Sequence, residues 1–178
     1  MINFKIHPRI FDIKIAECIG LWLAEGDTKT KKEITFTNNQ FDLIELFHKT
    51  LTLLFDDFEY NTRLYVYMPT KNKVYKKINV NTLRKYIDKR ANKPYYIWRL
   101  ASIKIHNIWV KKVEEFKLNT NFYVPLLRGF FAGEGNIKTG SHGNRTLRIA
   151  QLKNTFVEHL LNAVGITLII KKIKGHIV

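Results

Sequence analysis

The chain has 178 residues, with 30 Lys or Arg against 15 Asp or Glu, a formal charge of +15 at neutral pH and a pI near 9.9. With 46% apolar and 25% charged residues, it should fold as one domain or as two small halves sharing a core, which excludes a disordered chain. So large a positive charge beside 12 Phe, 8 Tyr and 3 Trp points to a polyanion, nucleic acid, as the partner.

Taken in chain order, apolar residues at helical spacing (Ile13, Ala16, Gly20 and Leu23) predict a helix over 10–24 that stops at Glu25-Gly26. A hairpin should follow, with strands at 27–30 and 33–37 around a Lys31-Lys32 turn. Asn38 or Asn39 can cap a helix over 41–55. Arg63 to Met68 alternates as a half-buried strand should. A short helix near 81–89, a strand over 95–102 and a helix over 103–116 complete the first part. The pattern then restarts: a helix over 124–133 ending at Glu134-Gly135, a hairpin with strands at 136–139 and 145–150 around a polar turn at Ser141 to Asn144, a helix over 154–163 and a strand over 166–173.

This is an internal repeat, with boundaries at 1–117 and 118–178. The halves align without a gap from Phe36 and Ile149 through Glu45 and Glu158. Ile34 and Phe36 match Leu147 and Ile149 on the expected buried face; Glu33 and Thr35 match Thr146 and Arg148 on the open one. The second copy stops at Val178 inside what should be its third strand, so the expectation is a longer natural chain or an abbreviated second repeat. Cys18, the single cysteine, permits no internal disulfide and no Cys-based zinc site, and fits a reducing, cytoplasmic setting as a buried structural thiol. The first residues lack the apolar core of a signal peptide, and no apolar run is long enough to span a bilayer.

Both Glu-Gly endings carry small residues four apart, Gly20 with Ala24 and Gly129 with Gly133, which share a helix face and let two backbones approach. Glycine inside a helix costs about 1 kcal/mol relative to Ala, so close helix contact at this interface should compensate. Gly26 and Gly135 are placed to end their helices in the left-handed conformation. Glu25 and Glu134 each occupy the negative end of a helix, a placement unfavourable by about 0.3–1 kcal/mol, and two such placements point to a compensating cation. Their carboxylates, with the free terminal carbonyls of Ala24 and Gly133, form a hard-oxygen donor set that suits Mg²⁺ or Mn²⁺.

Residues 20–27 and 127–136, read together with their hairpins, resemble the two motif copies of single-chain LAGLIDADG homing endonucleases over nearly the whole chain. The resemblance implies an α+β fold of two αββαββα-type repeats, the second apparently truncated, whose saddle of antiparallel sheets lies in the DNA major groove. It implies a monomer that cuts both strands of a long target site with divalent metal, in intron homing, with Glu25 and Glu134 as metal ligands. Lys29 and Lys138, each four residues after its acid, and Asn38 and Gln151 at equivalent strand ends, are the candidates to position water and stabilise phosphate around the metal. Lys29 and Lys138 as plain backbone contacts, and Asn38 as a helix cap, remain open.

The DNA-reading candidates are Thr35, Thr37, Arg63, Tyr65, Tyr67, Arg145 and Arg148, on strands that fit the major groove. Lys31, Lys32, Lys71, Lys73, Lys76, Lys77, Lys171 and Lys172 are read as contacts to the DNA, mostly to phosphates that position without specifying. His48, His142 and His159 show no metal-ligand spacing, and no phosphate-binding loop or nucleophilic Ser or Cys arrangement is visible. Two alternatives stay open: a non-cleaving DNA-binding regulator of the same fold, and a maturase that binds intron RNA. An intein is disfavoured because no splice-junction residues are visible.

Overall fold

The computed structural model describes residues 8–55, 61–70, 75–139, 143, 145–149, 155–167, 169, 172–173 and 176–177. In chain order these form α1 (Pro8–Glu25), β1 (Glu33–Asn38), α2 (Phe41–Leu54), β2 (Asn61–Met68), β3 (Thr82–Ile87), β4 (Tyr95–Ala101) and α3 (Ile103–Leu118). A short 3-10 turn at Thr120–Phe122 leads into α4 (Tyr123–Glu134), β5 (Gly135–Thr139), β6 (Arg145–Ile149), α5 (Thr155–Ala163), β7 (Lys172–Ile173) and β8 (His176–Ile177). The class is α+β, as expected. The chain divides into two compact units, Glu25–Glu115 and the combination of Met1–Ala24 with Phe116–Val178, a different cut from the repeat boundaries.

The continuous unit is built on a four-stranded sheet of order β1-β4-β2-β3. β4 pairs antiparallel with both β1 and β2, and β3 pairs parallel with β2. One face is apolar: Ile34, Phe36, Leu64, Val66, Trp98 and Leu100 are all fully buried. The amphipathic helix α2 buries Phe41, Ile44, Phe47 and Leu51. Phe47 stacks on Phe36 at 4.5 Å and meets Trp98 and Trp109 edge-on at 5.2 and 6.2 Å. Aromatic pairs at such spacings add about 0.5–1.5 kcal/mol each beyond the area they bury.

The discontinuous unit is organised around the crossing of α1 and α4. Gly20 and Gly129 are both buried there. A Cβ on Gly20 would overlap the carbonyl oxygen of Leu126, and one on Gly129 the carbonyl oxygen of Glu17. The contact is reciprocal, since each glycine receives the residue three positions before the other. Glu17 also forms an ion pair with Arg128 beside the crossing. Cys18, fully buried, has its thiol pushed well above the ordinary range by burial and then by the charge of Glu17, so it is inert packing. α5 buries Val157, Leu160 and Leu161, the first two aligned with Ile44 and Phe47 of α2. It meets α4 through a 3.2 Å hydrogen bond between the Tyr123 hydroxyl and His159 Nε2.

Several expectations are corrected. Residues 81–89 hold a strand, β3, in place of a helix. The first hairpin has only a bridge between Gly26 and Phe36 in place of a paired strand at 27–30. There the Asp27 carboxylate accepts hydrogen bonds from the Lys29 and Thr30 backbone N–H groups and the Thr30 hydroxyl, which curls the segment into a turn. Among the described residues the glycines with positive φ are Gly143 and Gly165, so Gly26 and Gly135 do not end their helices left-handed. Gly135 is extended (φ −78, ψ 143) and runs straight into β5; a Cβ there would overlap the carbonyl of Phe131, so close approach is what requires glycine. Thr35 does lie on the sheet face away from Ile34 and Phe36, beside Arg99, but is only 7% exposed there. Leu147, expected buried, is 66% exposed, as is its cross-strand partner Ile137 at 63%. Among the described residues of the strand expected over 166–173, Ile166, Thr167 and Ile169 are not in a strand, whereas Lys172–Ile173 pairs with His176–Ile177.

Candidate functional site

Glu25 and Glu134 are the last residues of α1 and α4, each five residues after the glycine of the helix crossing. The hydrogen-bonding pattern of a helix leaves its last carbonyls without intrahelical partners, and both helices put a carboxylate beside them. Both glutamates are half-buried. Burial holds the Glu134 carboxyl above the ordinary glutamate range, because a charge there loses hydration. A cation would restore that lost stabilisation. Among the described residues no cluster of three or more His, Cys, Asp or Glu side chains could hold a metal ion. Mg²⁺ asks for less, since it is usually held by one or two carboxylates together with phosphate oxygens and water. Each helix end by itself, a carboxylate close to terminal carbonyls, is thus oxygen-donor chemistry of the kind that suits a hard divalent ion.

Lys29 and Lys138 are exposed, the first in the turn made by Asp27, the second on β5 opposite Thr146. Asn38 is buried, and its side-chain oxygen accepts the Gln40 N–H at 2.8 Å. This turns the chain into α2, whose N-cap residue is Gln40 and not Asn38 or Asn39. Gln151, Lys71, Lys73 and Lys171, with the turn residues Ser141, His142 and Asn144, lie outside the described residues.

The face of the main sheet opposite α2 carries polar and aromatic side chains in cross-strand rows. Thr35, Arg99, Arg63 and Thr82 form one row; Thr37, Ile97, Tyr65 and Arg84 the next; Tyr95, Tyr67 and Tyr86 the third. Arg63 and Arg99 face each other directly. Their repulsion is eased because Glu33 pairs with Arg99 at 2.7 Å and the Tyr65 ring lies 5.2 Å from its guanidinium. Tyr67 stacks on Tyr95 at 4.7 Å and on Tyr86 at 5.0 Å. Arg84, Tyr86, Tyr95 and Arg99 share this face although they are not among the DNA-reading candidates of the sequence. The alternation of Tyr95, Ile97 and Arg99 is visible in the sequence, whereas Arg84 and Tyr86 stand in a segment whose sequence predicts a helix.

The lysines divide by environment. Lys31, Lys32 and Lys77 are exposed. Lys76 is also exposed but pairs with Asp42 at 2.9 Å and lies over the Phe41 ring, so its charge is partly answered within the protein. In the second hairpin, the pairing puts Asn136, Lys138, Thr146 and Arg148 on one face and Arg145 on the other, beside Ile137 and Leu147. Lys172 lies in β7.

No family model matches the sequence, and no curated protein matches it. Solved structures do. A structure of mesophilic variants from the homing endonuclease I-DmoI matches with a TM-score of 0.60 over 94% of this chain and 87% of its own, at 16% identity. I-DmoI in complex with DNA and Mn matches at 0.55 over 90% of this chain and 82% of its own, also at 16% identity. I-DmoI in complex with DNA and Ca matches at 0.50, covering 87% of this chain and 73% of its own, at 18% identity. No helix among the described residues is long and apolar enough to cross a membrane. At these identities the likeness is one of fold, and the chain has the LAGLIDADG fold of the homing endonuclease I-DmoI.

Proposed function

We propose that this protein is a divalent-metal-dependent endonuclease that makes double-strand breaks at a long DNA target, acting as a monomer of two motif repeats in intron homing. The observation that carries the reading is the repeated placement of a half-buried carboxylate, Glu25 and Glu134, at the end of a helix five residues beyond the crossing glycine. It is supported by the DNA- and metal-bound state of structures sharing the fold and by the +15 charge.

In this reading Glu25 and Glu134, with the carbonyls of Ala24 and Gly133, hold Mg²⁺ or Mn²⁺. The bound ion supplies Lewis-acid stabilisation of a phosphodiester and a more acidic water. Lys29 and Lys138 offer exposed ammonium groups to the scissile phosphates. The open face of the main sheet and the Lys138–Arg148 face of the second hairpin bind the duplex, with Arg63, Tyr65 and Tyr67 at base edges and Lys31, Lys32 and Lys77 at phosphates.

The test is cleavage of a plasmid library carrying randomised target sites. The unmutated protein should cut a subset with Mg²⁺ and none with a chelator. Glu25→Gln and Glu134→Gln should each lower the rate by about 100-fold or more, the scale seen when one electrostatic stabiliser of a transition state is removed, while duplex binding persists. Binding without cutting by the unmutated protein would replace the enzyme reading with that of a regulator. Preference for intron RNA over duplex would replace it with a maturase. Light scattering should give a mass near 21.0 kDa; twice that value would sink the monomer.

A further inference from the structure

The tyrosine row on the open face of the sheet is anchored at one end by Asp88. The Tyr95 hydroxyl donates to Asp88 Oδ2 at 3.1 Å. The same carboxylate accepts from the Arg90 backbone N–H at 3.0 Å and from its guanidinium at 3.1 and 3.3 Å. The Asp88 side chain is only 15% exposed, and the Asp88 N–H donates to the Met68 carbonyl at 2.9 Å, tying the segment to the end of β2. Tyr95 lies parallel to Tyr67, 4.7 Å away with 3° between the rings, and Tyr67 stacks in turn on Tyr86. The three rings are direct cross-strand partners.

Two consequences follow from this geometry. Tyr67 has both ring faces covered by its neighbours, so the row is not a platform on which unpaired bases stack; it offers edges and hydroxyls. The hydroxyls are also not equivalent. The hydrogen bonds from Arg90 hold the Asp88 carboxyl below the ordinary aspartate range, so it is ionised near neutrality. An ionised carboxylate only accepts, which commits the phenolic proton of Tyr95 to Asp88. What remains of the Tyr95 hydroxyl is its oxygen lone pairs.

We propose that Tyr95 is a specificity-determining residue that reads an amino group in the DNA major groove, with Asp88 as the positioning residue that fixes the direction of its hydrogen bond. In the major groove the exocyclic amino groups of adenine (N6) and cytosine (N4) are donors, whereas guanine O6 and thymine O4 are acceptors. Tyr95 thus favours adenine or cytosine at the position it meets. The inference rests on the proposed DNA-binding function and goes beyond it by naming one base-reading group and its polarity.

The experiment enriches a randomised duplex DNA library on the unmutated protein, on Tyr95→Phe and on Asp88→Asn, with Ca²⁺ present, and sequences the bound pools. Melting curves confirm that both variants fold; Tyr95→Phe keeps the stacked ring and Asp88→Asn the shape of the turn. Tyr95→Phe should lose discrimination about 3- to 10-fold at one position, the worth of one hydrogen bond, and leave the others unchanged. That position should hold adenine or cytosine in the unmutated profile. In Asp88→Asn the amide donates to the phenol oxygen and releases its proton, so preference at the same position should swing toward guanine or thymine. Unchanged profiles in either variant, or a guanine or thymine at the affected position in the unmutated protein, overturn the proposal while leaving DNA binding intact. Enrichment of no sequence by the unmutated protein overturns both it and the reading it rests on.

Discussion

At Gly20 and Gly129, one methyl group decides between two opposed effects. Alanine is the better helix former by about 1 kcal/mol, so intrinsic propensity favours replacing either glycine. The added Cβ would overlap backbone oxygens of Leu126 or Glu17, and backbone cannot rotate aside as a side chain can. Overpacking typically costs about 1–3 kcal/mol, occasionally more, and two crossed helices give little room to relax. Gly129→Ala should therefore lower stability by about 2 kcal/mol or more, read as a drop in the urea midpoint; an unchanged or raised midpoint would show that the helices slide apart freely. The small-residue spacing was legible in the sequence because a face with residues four apart is a backbone property of helices. The handedness at Gly26 and Gly135 was not. Glycine after a helix usually signals a left-handed cap, but here the chain goes straight into extended structure, and the close carbonyl of Phe131 excludes a side chain at Gly135.

The elements were legible where one face is buried by its own unit. Asn61–Met68 and Tyr95–Ala101 alternate cleanly between buried and partly exposed positions, and α2 carries its apolar stripe at helical spacing. β3 failed that test. It is an edge strand, nearly all of it exposed, and Arg84 and Lys85 break the two-residue alternation. Its parallel pairing with β2 is a tertiary fact that no local pattern announces. Residues 27–30 failed for another reason: the side chain of Asp27 takes backbone donors that a strand would have left for pairing. The packing of α2 on the sheet carries a pH dependence. His48 Nδ1 accepts the Trp98 indole N–H at 3.2 Å, which requires a neutral ring. Burial, aided by Lys49 and opposed by Glu45 and a hydrogen bond involving the Asn79 backbone, holds the His48 pKa below its usual 6.5. The unfolded chain then takes up the proton first, so stability should fall as pH drops from about 6.5 toward the lower folded value and level off beneath it. Urea melts between pH 8 and 5 should show this slope, and His48→Gln should flatten it; an equal slope in both would assign it elsewhere.

For the whole molecule, the +15 charge sets how binding responds to salt. Six to ten phosphate contacts would cost about 10³- to 10⁵-fold in affinity between 50 and 200 mM salt. Fluorescence anisotropy with a labelled duplex should show a steep, linear fall on logarithmic axes; a shallow one would mean that few of the lysines meet phosphate. Individual contacts were less legible than this total, because a sequence shows the number of charges but not that Lys76 is answered by Asp42. The division into units has one more implication, for how the chain is made. The two glycines that interlock at the centre of the discontinuous unit are 109 positions apart, and the whole Glu25–Glu115 unit is inserted between them. On the ribosome, α1 emerges long before α4 exists. Gly20 and the backbone of Glu17, which meet α4 in the finished protein, have no α4 to pack against until translation is well past the Glu25–Glu115 unit. The crossing is thus a contact of long sequence separation, the kind whose loop-closure entropy must be met before it gives anything back and which slows folding. Of the two crossing helices, the one made earlier must wait for the other to be made.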